Sequence, residues 1–310
     1  MSSYKRILVG LDLSPAGEAL TPGSSLALEQ AIGLARAGQA SLQLVHSTRL
    51  DDYKSSLRGS KGIVHEGLPD AGRRALDEGM MNAQDAGVDA SLVLTSGRPW
   101  IDIIQMVQRD GIDLVVVGKR NEPSTDGRKL GSMSIKLLRK CPCPVYVVRG
   151  EKADIPHLVL AATDLTPVGD AAVGAAQQMA AEFDCPLHVV NAWVIPMSLQ
   201  MKSSRMSKAD YVAEVGEIQS QVESHIKHAL PDAAGPQPEL HAIHGAPAQT
   251  LRDAVERLQP SLLVMGTVSR SGIAGLLIGS TAERMLDQVD CSILTLKPEG
   301  FVSPVKAIAH

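Results

Sequence analysis

Residues 114–132 read LVVVGKRNEPSTDGRKLGS, and residues 262–280 read LLVMGTVSRSGIAGLLIGS. Each is an apolar run of strand type, then a glycine, a loop, and Gly-Ser opening a segment of helical pattern. Gly118, Asn121, Gly131 and Ser132 of the first stretch recur as Gly266, Ser269, Gly279 and Ser280, each 148 positions later. Loop insertions cost little free energy. Two loops of equal length in copies whose sequences have diverged therefore point to a loop shaped around something, and phosphate is the expected occupant.

Working outward, the duplication extends over nearly the whole chain. ILVGLD, ending at Asp12, matches HLVLAATD, ending at Asp164, and Asp12-Leu-Ser-Pro15 is matched with Asp164-Leu-Thr-Pro167. SLQLVHS (41–47) lies over LHVVNAW (187–193), and Gly97-Arg-Pro99 over Gly245-Ala-Pro247. Between these landmarks the first copy predicts helices over 19–37, about 70–86, 99–109 and 131–140. Its later strands are predicted at 88–95, 114–117 and 145–148. Strands alternating with helices of this length imply parallel sheets with right-handed crossovers and helices on both faces. The expected fold is α/β: two tandem Rossmann-like or flavodoxin-like domains, each a five-stranded parallel sheet of order 3-2-1-4-5. They are expected over 1–150 and 151–300, joined through the polar stretch 149–154 and followed by a tail, 301–310. In such a sheet the last strand is an exposed edge, a pairing liability. VYVV (145–148) and ILTL (293–296) are expected to meet antiparallel, making the chain a pseudo-dimer; further homo-oligomerisation stays open.

Composition narrows the function. A chain of 310 residues with 44% hydrophobic and 21% charged residues fits two soluble domains. A net charge of −4 without a basic patch argues against nucleic acid. No apolar run reaches the length of a membrane span, and the N-terminus lacks a signal-peptide pattern. Cys141, Cys143, Cys185 and Cys291 read as packing residues of a reducing compartment, so the expected location is the cytoplasm.

Open parallel sheets bind ligands at the carboxyl ends of their strands, where strand order reverses. Asp12 and the Gly118 loop are expected to face one another across that crevice, as are Asp164 and the Gly266 loop. Gly131-Ser132 and Gly279-Ser280 open helices whose first amides lack internal partners and attract anions. A carboxylate beside phosphates is repelled, so Asp12 and Asp164 fit the sugar end of a nucleotide. The competing reading makes both aspartates strand-end caps. His225 with His228, and His241 with His244, read as solvated histidines, and no metal site is expected. Arg205-Met-Ser-Lys208 carries no function, and nothing nominates a nucleophile or general base. The expectation is a binding protein, not an enzyme, with slow ATPase activity left open.

A strand ending in Asp, then G-x2-G-x9-G-[ST] before the last helix, resembles the universal stress protein family in its tandem two-domain form. The resemblance covers about 1–150 and 157–298. It implies a stress-response role in which the Gly118–Ser132 and Gly266–Thr281 loops hold the phosphates of ATP. It further implies that Asp12 and Asp164 contact ribose, and that backbone at the ends of the second strands, Val45 and Val190, meets adenine. No cofactor is required by it. The chain departs from the pattern at the middle glycine, replaced by Asn121 and Ser269. Asn adopts a left-handed backbone more readily than Ser. The loops also differ: EPSTDGRKL (122–130) is polar, RSGIAGLLI (270–278) apolar, and the second site is the favoured nucleotide site. The alternative is a degenerate-pocket interaction module, or a binder of an amphipathic, acyl-bearing ligand in the second domain.

Overall fold

The computed structural model describes residues 4–48, 68–119, 130–150, 156–230, 236–267 and 279–307. The first repeat runs β1 (Arg6–Gly10), α1 (Pro22–Gly38), β2 (Ser41–Ser47), α2 (Asp70–Asp85), β3 (Ala90–Thr95), α3 (Pro99–Asp110), β4 (Leu114–Gly118), α4 (Ser132–Lys140), β5 (Val145–Val148). The second runs β6 (Val159–Ala162), α5 (Pro167–Glu182), β7 (Leu187–Trp193), α6 (Met197–Ser203), α7 (Lys208–Ala229), β8 (Glu239–His244), α8 (Pro247–Leu258), β9 (Leu262–Gly266), α9 (Ser280–Gln288), β10 (Ser292–Leu296).

Helix starts follow local chemistry. Thr21 caps α1 by accepting a hydrogen bond from the Ser24 amide, with Pro22 at the first helical position. Thr166 and Pro167 repeat this at α5, where Thr166 accepts from the Gly169 amide. The helix expected from Ala19 therefore begins at Pro22, and the counterpart of Thr166-Pro167 is Thr21-Pro22, not Ser14-Pro15. Asp12 to Thr21 spans nine positions where Asp164 to Thr166 spans two, so the first repeat carries seven extra residues here. They form a turn closed by an antiparallel bridge between Leu13 and Leu20. Arg205–Lys208 also has a local explanation, since the Ser207 side chain caps α7 by accepting from the Asp210 amide.

Among the described residues, ten strands form one sheet of order β3-β2-β1-β4-β5-β10-β9-β6-β7-β8, parallel within each repeat and antiparallel between β5 and β10. Apolar layers lie on its two faces, and each draws on both repeats. One buries Leu26, Leu34 and Leu76 with Ala172, Met179 and Ile226. The other buries Ile104, Leu137 and Leu138 with Leu251, Met285 and Leu286. At the seam Val147 faces Ile293, Tyr146 faces Leu294 and Val145 faces Thr295. Tyr146 and Leu294 are equivalent residues, so a local two-fold axis passes through that pair.

The same axis relates two cations, Arg149, which is buried, and Lys297, which is half-buried. Arg149, just after β5, crosses to α9 and donates to the Leu286 carbonyl at 2.6 Å and to the Val289 carbonyl. Lys297, just after β10, crosses to α4 and donates to the Leu138 carbonyl at 2.5 Å and to Thr267 Oγ1 at 2.9 Å. Each repeat thus neutralises the C-terminal carbonyls of the other repeat's last helix, where the macrodipole favours positive charge. The tail returns to the first repeat as well: Gln108 Nε2 donates to the Val305 carbonyl at 3.1 Å.

Burial pushes the Lys297 pKa down to about 8, while Cys141 acts in the opposite direction. Its folded-state pKa then lies below its unfolded value of about 10.5. Between these values the unfolded chain holds the extra proton, so this residue's contribution to stability rises with pH from about 8 and levels off near 10.5. Melting temperatures of the wild type and Lys297→Met between pH 7 and 10.5 check this. The difference is expected to move in favour of the wild type across the window; a constant difference contradicts it.

Candidate functional site

The crevice of the first repeat opens where β1 and β2 end, on the face covered by α3 and α4. Gly10 at the end of β1 with Leu11 and Asp12 just after it, and Val45 and Ser47 from β2, form its floor. Pro99 and Ile103 from the first turns of α3, and Met133 from the first turn of α4, form its wall. The crevice between them is small and open to solvent. Gly10 keeps the floor low, because a Cβ there would sit 3.1 Å from Val117 Cγ1 and 3.2 Å from Ile103 Cδ1.

Asp12 is held at the rim by its backbone. Its amide donates to Ser24 Oγ at 2.7 Å, and its carbonyl accepts from the Thr21 amide at 2.9 Å. The half-buried carboxyl is therefore positioned by the cap of α1. Val45 gives its carbonyl to the Leu11 amide at 2.9 Å, so the backbone acceptor expected to meet a base is already engaged in the fold. His46 fixes the floor by pairing through Nδ1 with the Leu11 carbonyl at 2.9 Å. Ser47 donates to Asp102 Oδ2 at 2.8 Å, as does Thr95, which ties the ends of β2 and β3 to the first turn of α3. Beside the crevice α4 begins at Gly131, which supplies no side-chain cap, and Ser132 is exposed. The amide end of that helix is suited to an anion.

Gly118 has a different part from the one its motif position suggests. A Cβ there would lie 1.9 Å from the Gly23 carbonyl oxygen, and one on Gly23 would lie 2.2 Å from that of Lys119. The glycine admits the backbone of α1, not a ligand. Gly266 is packed less severely, its nearest neighbours being the Val168 methyls at 3.1 Å. Asn121 and Ser269 lie outside the described residues.

The second repeat holds equivalent residues in a more self-satisfied state. Val190 passes its carbonyl to the Thr163 amide at 3.1 Å, and Asn191 donates to the Thr163 carbonyl at 2.9 Å, matching Val45 and His46. Asp164 is exposed, but its Oδ1 accepts from the Thr166 amide at 3.2 Å and from the Thr166 hydroxyl at 2.5 Å. That is the strand-end cap of the competing reading, with Leu165 between them in a left-handed conformation at φ 58. The Gly279 amide donates to the Thr267 carbonyl at 2.6 Å, so one donor of the expected cradle is satisfied internally. Ser280 opens α9, and Thr281, half-buried, lies in its first turn.

Of the histidines read as solvated, only His241 departs from that reading; His225, His228 and His244 are exposed. His225 pairs with Asp170 at 3.2 Å, linking α7 to α5. His241 is largely buried and lies 2.8 Å from His188 Nδ1, with the two rings stacked. Burial pushes the His241 pKa below its ordinary value, against the pull of Glu239. His188 was not legible as a site residue, because its partner lies 53 positions away and meets it only through strand register. No helix among the described residues is long and apolar enough to cross a membrane.

Two doubly wound domains sharing one sheet, with a crevice at the strand-order switch of the first, define a tandem α/β protein. The sequence model of the universal stress protein family matches residues 3–149 and 157–297, and the chain belongs to that family. It is 28% identical over 233 residues to universal stress protein E of Escherichia coli K12, covering 72% of each chain. Against the protein of the same name from Photorhabdus laumondii it is 25% identical over 234 residues, covering 72% of this chain and 74% of the relative. A crystal structure of a putative universal stress protein from Pseudomonas aeruginosa superposes with a TM-score of 0.68 at 23% identity, covering 97% of this chain and 95% of that one. One from Archaeoglobus fulgidus gives 0.64 at 18% identity, covering 95% and 99%. These place the tandem form on the whole chain.

Proposed function

We propose that the chain is a cytoplasmic stress-response protein whose first repeat binds an adenine nucleotide or a similar phosphate-containing ligand without turning it over. The observation that carries this reading is the crevice of the first repeat. It combines an apolar lining for a base (Val45, Pro99, Ile103, Met133), a carboxylate at its rim for ribose (Asp12) and a helix start without a side-chain cap for phosphate (Gly131). No general base is nominated by this set, so the activity is binding. A ligand that prefers one conformation of the chain shifts its population by the difference in affinity. Thiols without disulfides, at Cys141, Cys143, Cys185 and Cys291, favour the reducing cytoplasm.

The second repeat is assigned a structural part, because the Asp164 carboxylate and the Gly279 amide are already engaged within it. This reverses the preference that the loop sequences alone suggest. Calorimetry of the purified chain with ATP, ADP and AMP tests the proposal. One equivalent is expected to bind at least one of them; no heat at millimolar nucleotide contradicts the nucleotide reading.

A further inference from the structure

We propose that His188, Glu239 and His241 form a zinc site on the edge of the second repeat's half of the sheet. His188 on β7 stands opposite Glu239 on β8, and His241 follows two residues along β8, on the same side of the strand. One ligand atom from each of the three falls within 4.8 Å of the others. The His241 Nε2 to Glu239 distance is 3.7 Å and the His188 Nε2 to Glu239 distance is 3.9 Å. Two imidazoles and a carboxylate are a borderline nitrogen and oxygen donor set suited to tetrahedral Zn(II), with water completing the coordination.

Several features set this cluster apart from a chance pair of histidines. Both rings are largely buried, with 13% and 12% of their side-chain surface exposed, while Glu239 is 68% exposed and faces an entry path from solvent. β8 is a terminal strand of the sheet, so a metal joining it to β7 pins an edge that has backbone pairing on one side only. In the first repeat the same register places Gln43, Ser91 and Val93 at these positions, so the donor set belongs to the second repeat alone. The cluster occupies the amino-terminal halves of β7 and β8, whereas the crevice of the first repeat lies at carboxyl ends of strands. Zinc here serves as a staple, independent of the nucleotide proposal. Arg257 on α8 acts electrostatically on His241 and opposes a further cation, so the affinity is set below that of a site without it.

The test is a titration of the untagged, chelator-stripped full chain with Zn(II) against a chromophoric competitor, with melting curves at each ratio. One equivalent is expected to bind and to raise the melting temperature. His188→Gln, which imports the amide that the first repeat carries at Gln43, and His241→Gln are each expected to weaken binding roughly tenfold or more. Glu239→Gln, at an exposed position where folding is not at stake, is expected to do the same. The double substitution His225→Gln with His228→Gln is expected to leave binding unchanged. Absence of stoichiometric uptake, or uptake that survives both the Glu239 substitution and those histidine variants that fold, overturns the proposal.

Discussion

Gly118→Ala is expected to destabilise the chain by about 3 kcal/mol or more, or to prevent folding outright. The new methyl would sit 1.9 Å from the Gly23 carbonyl oxygen and 2.2 Å from its carbon, both backbone atoms of the first turn of α1. A side chain can rotate away from such a contact, but this turn is fixed by its own cap and by the Asp12 amide on Ser24. The equivalent substitution, Gly266→Ala, meets only Val168 methyls at 3.1 Å and is expected to cost about 1 kcal/mol. Urea denaturation of the two variants checks the contrast. Equal losses would show that the motif glycine does the same thing in both repeats, against the packing described here.

Arg149→Met is expected to cost about 3 kcal/mol. The guanidinium is buried and donates to the Leu286 and Val289 carbonyls at the end of α9, across the seam between the repeats. Methionine fills much of the volume but supplies no donor, leaving carbonyls of a helix end without that partner. Arg139 also crosses the seam, to Glu283, but both side chains are well exposed, and Arg139→Met is expected to change stability by less than about 1 kcal/mol. Thermal melts of both variants decide it. If Arg149→Met matched Arg139→Met, the seam would be held by apolar packing and the β5–β10 ladder alone.

The architecture was legible because apolar runs of strand length alternate with helical patterns twice in the same order, and periodicity of that kind survives divergence. The seam followed from edge exposure: Val145–Val148 and Ser292–Leu296 each end a parallel sheet with apolar residues on both faces. The start of α1 was misplaced because Ser14-Pro15 mimics the Ser/Thr-Pro helix entry, while the operative Thr21-Pro22 is displaced by seven inserted residues. At the site, residue types were legible and their commitments were not. Nothing in the spacing shows that Asp164 is engaged by Thr166, that Gly279 donates to Thr267, or that Gly118 faces Gly23. His188 and His241 become neighbours only once β7 and β8 are in register, information that a helix-face or loop-spacing argument does not contain.

The proposed role rests on ligand binding in the first repeat, and calorimetric titration of site variants with the tightest-binding nucleotide tests it most directly. The wild type is expected to bind one equivalent. Asp12→Asn, which removes the rim carboxylate and keeps its shape, is expected to weaken binding about tenfold or more. Asp164→Asn is expected to bind as the wild type does. Loss of binding in Asp164→Asn with Asp12→Asn unaffected would place the ligand in the other repeat and contradict the account.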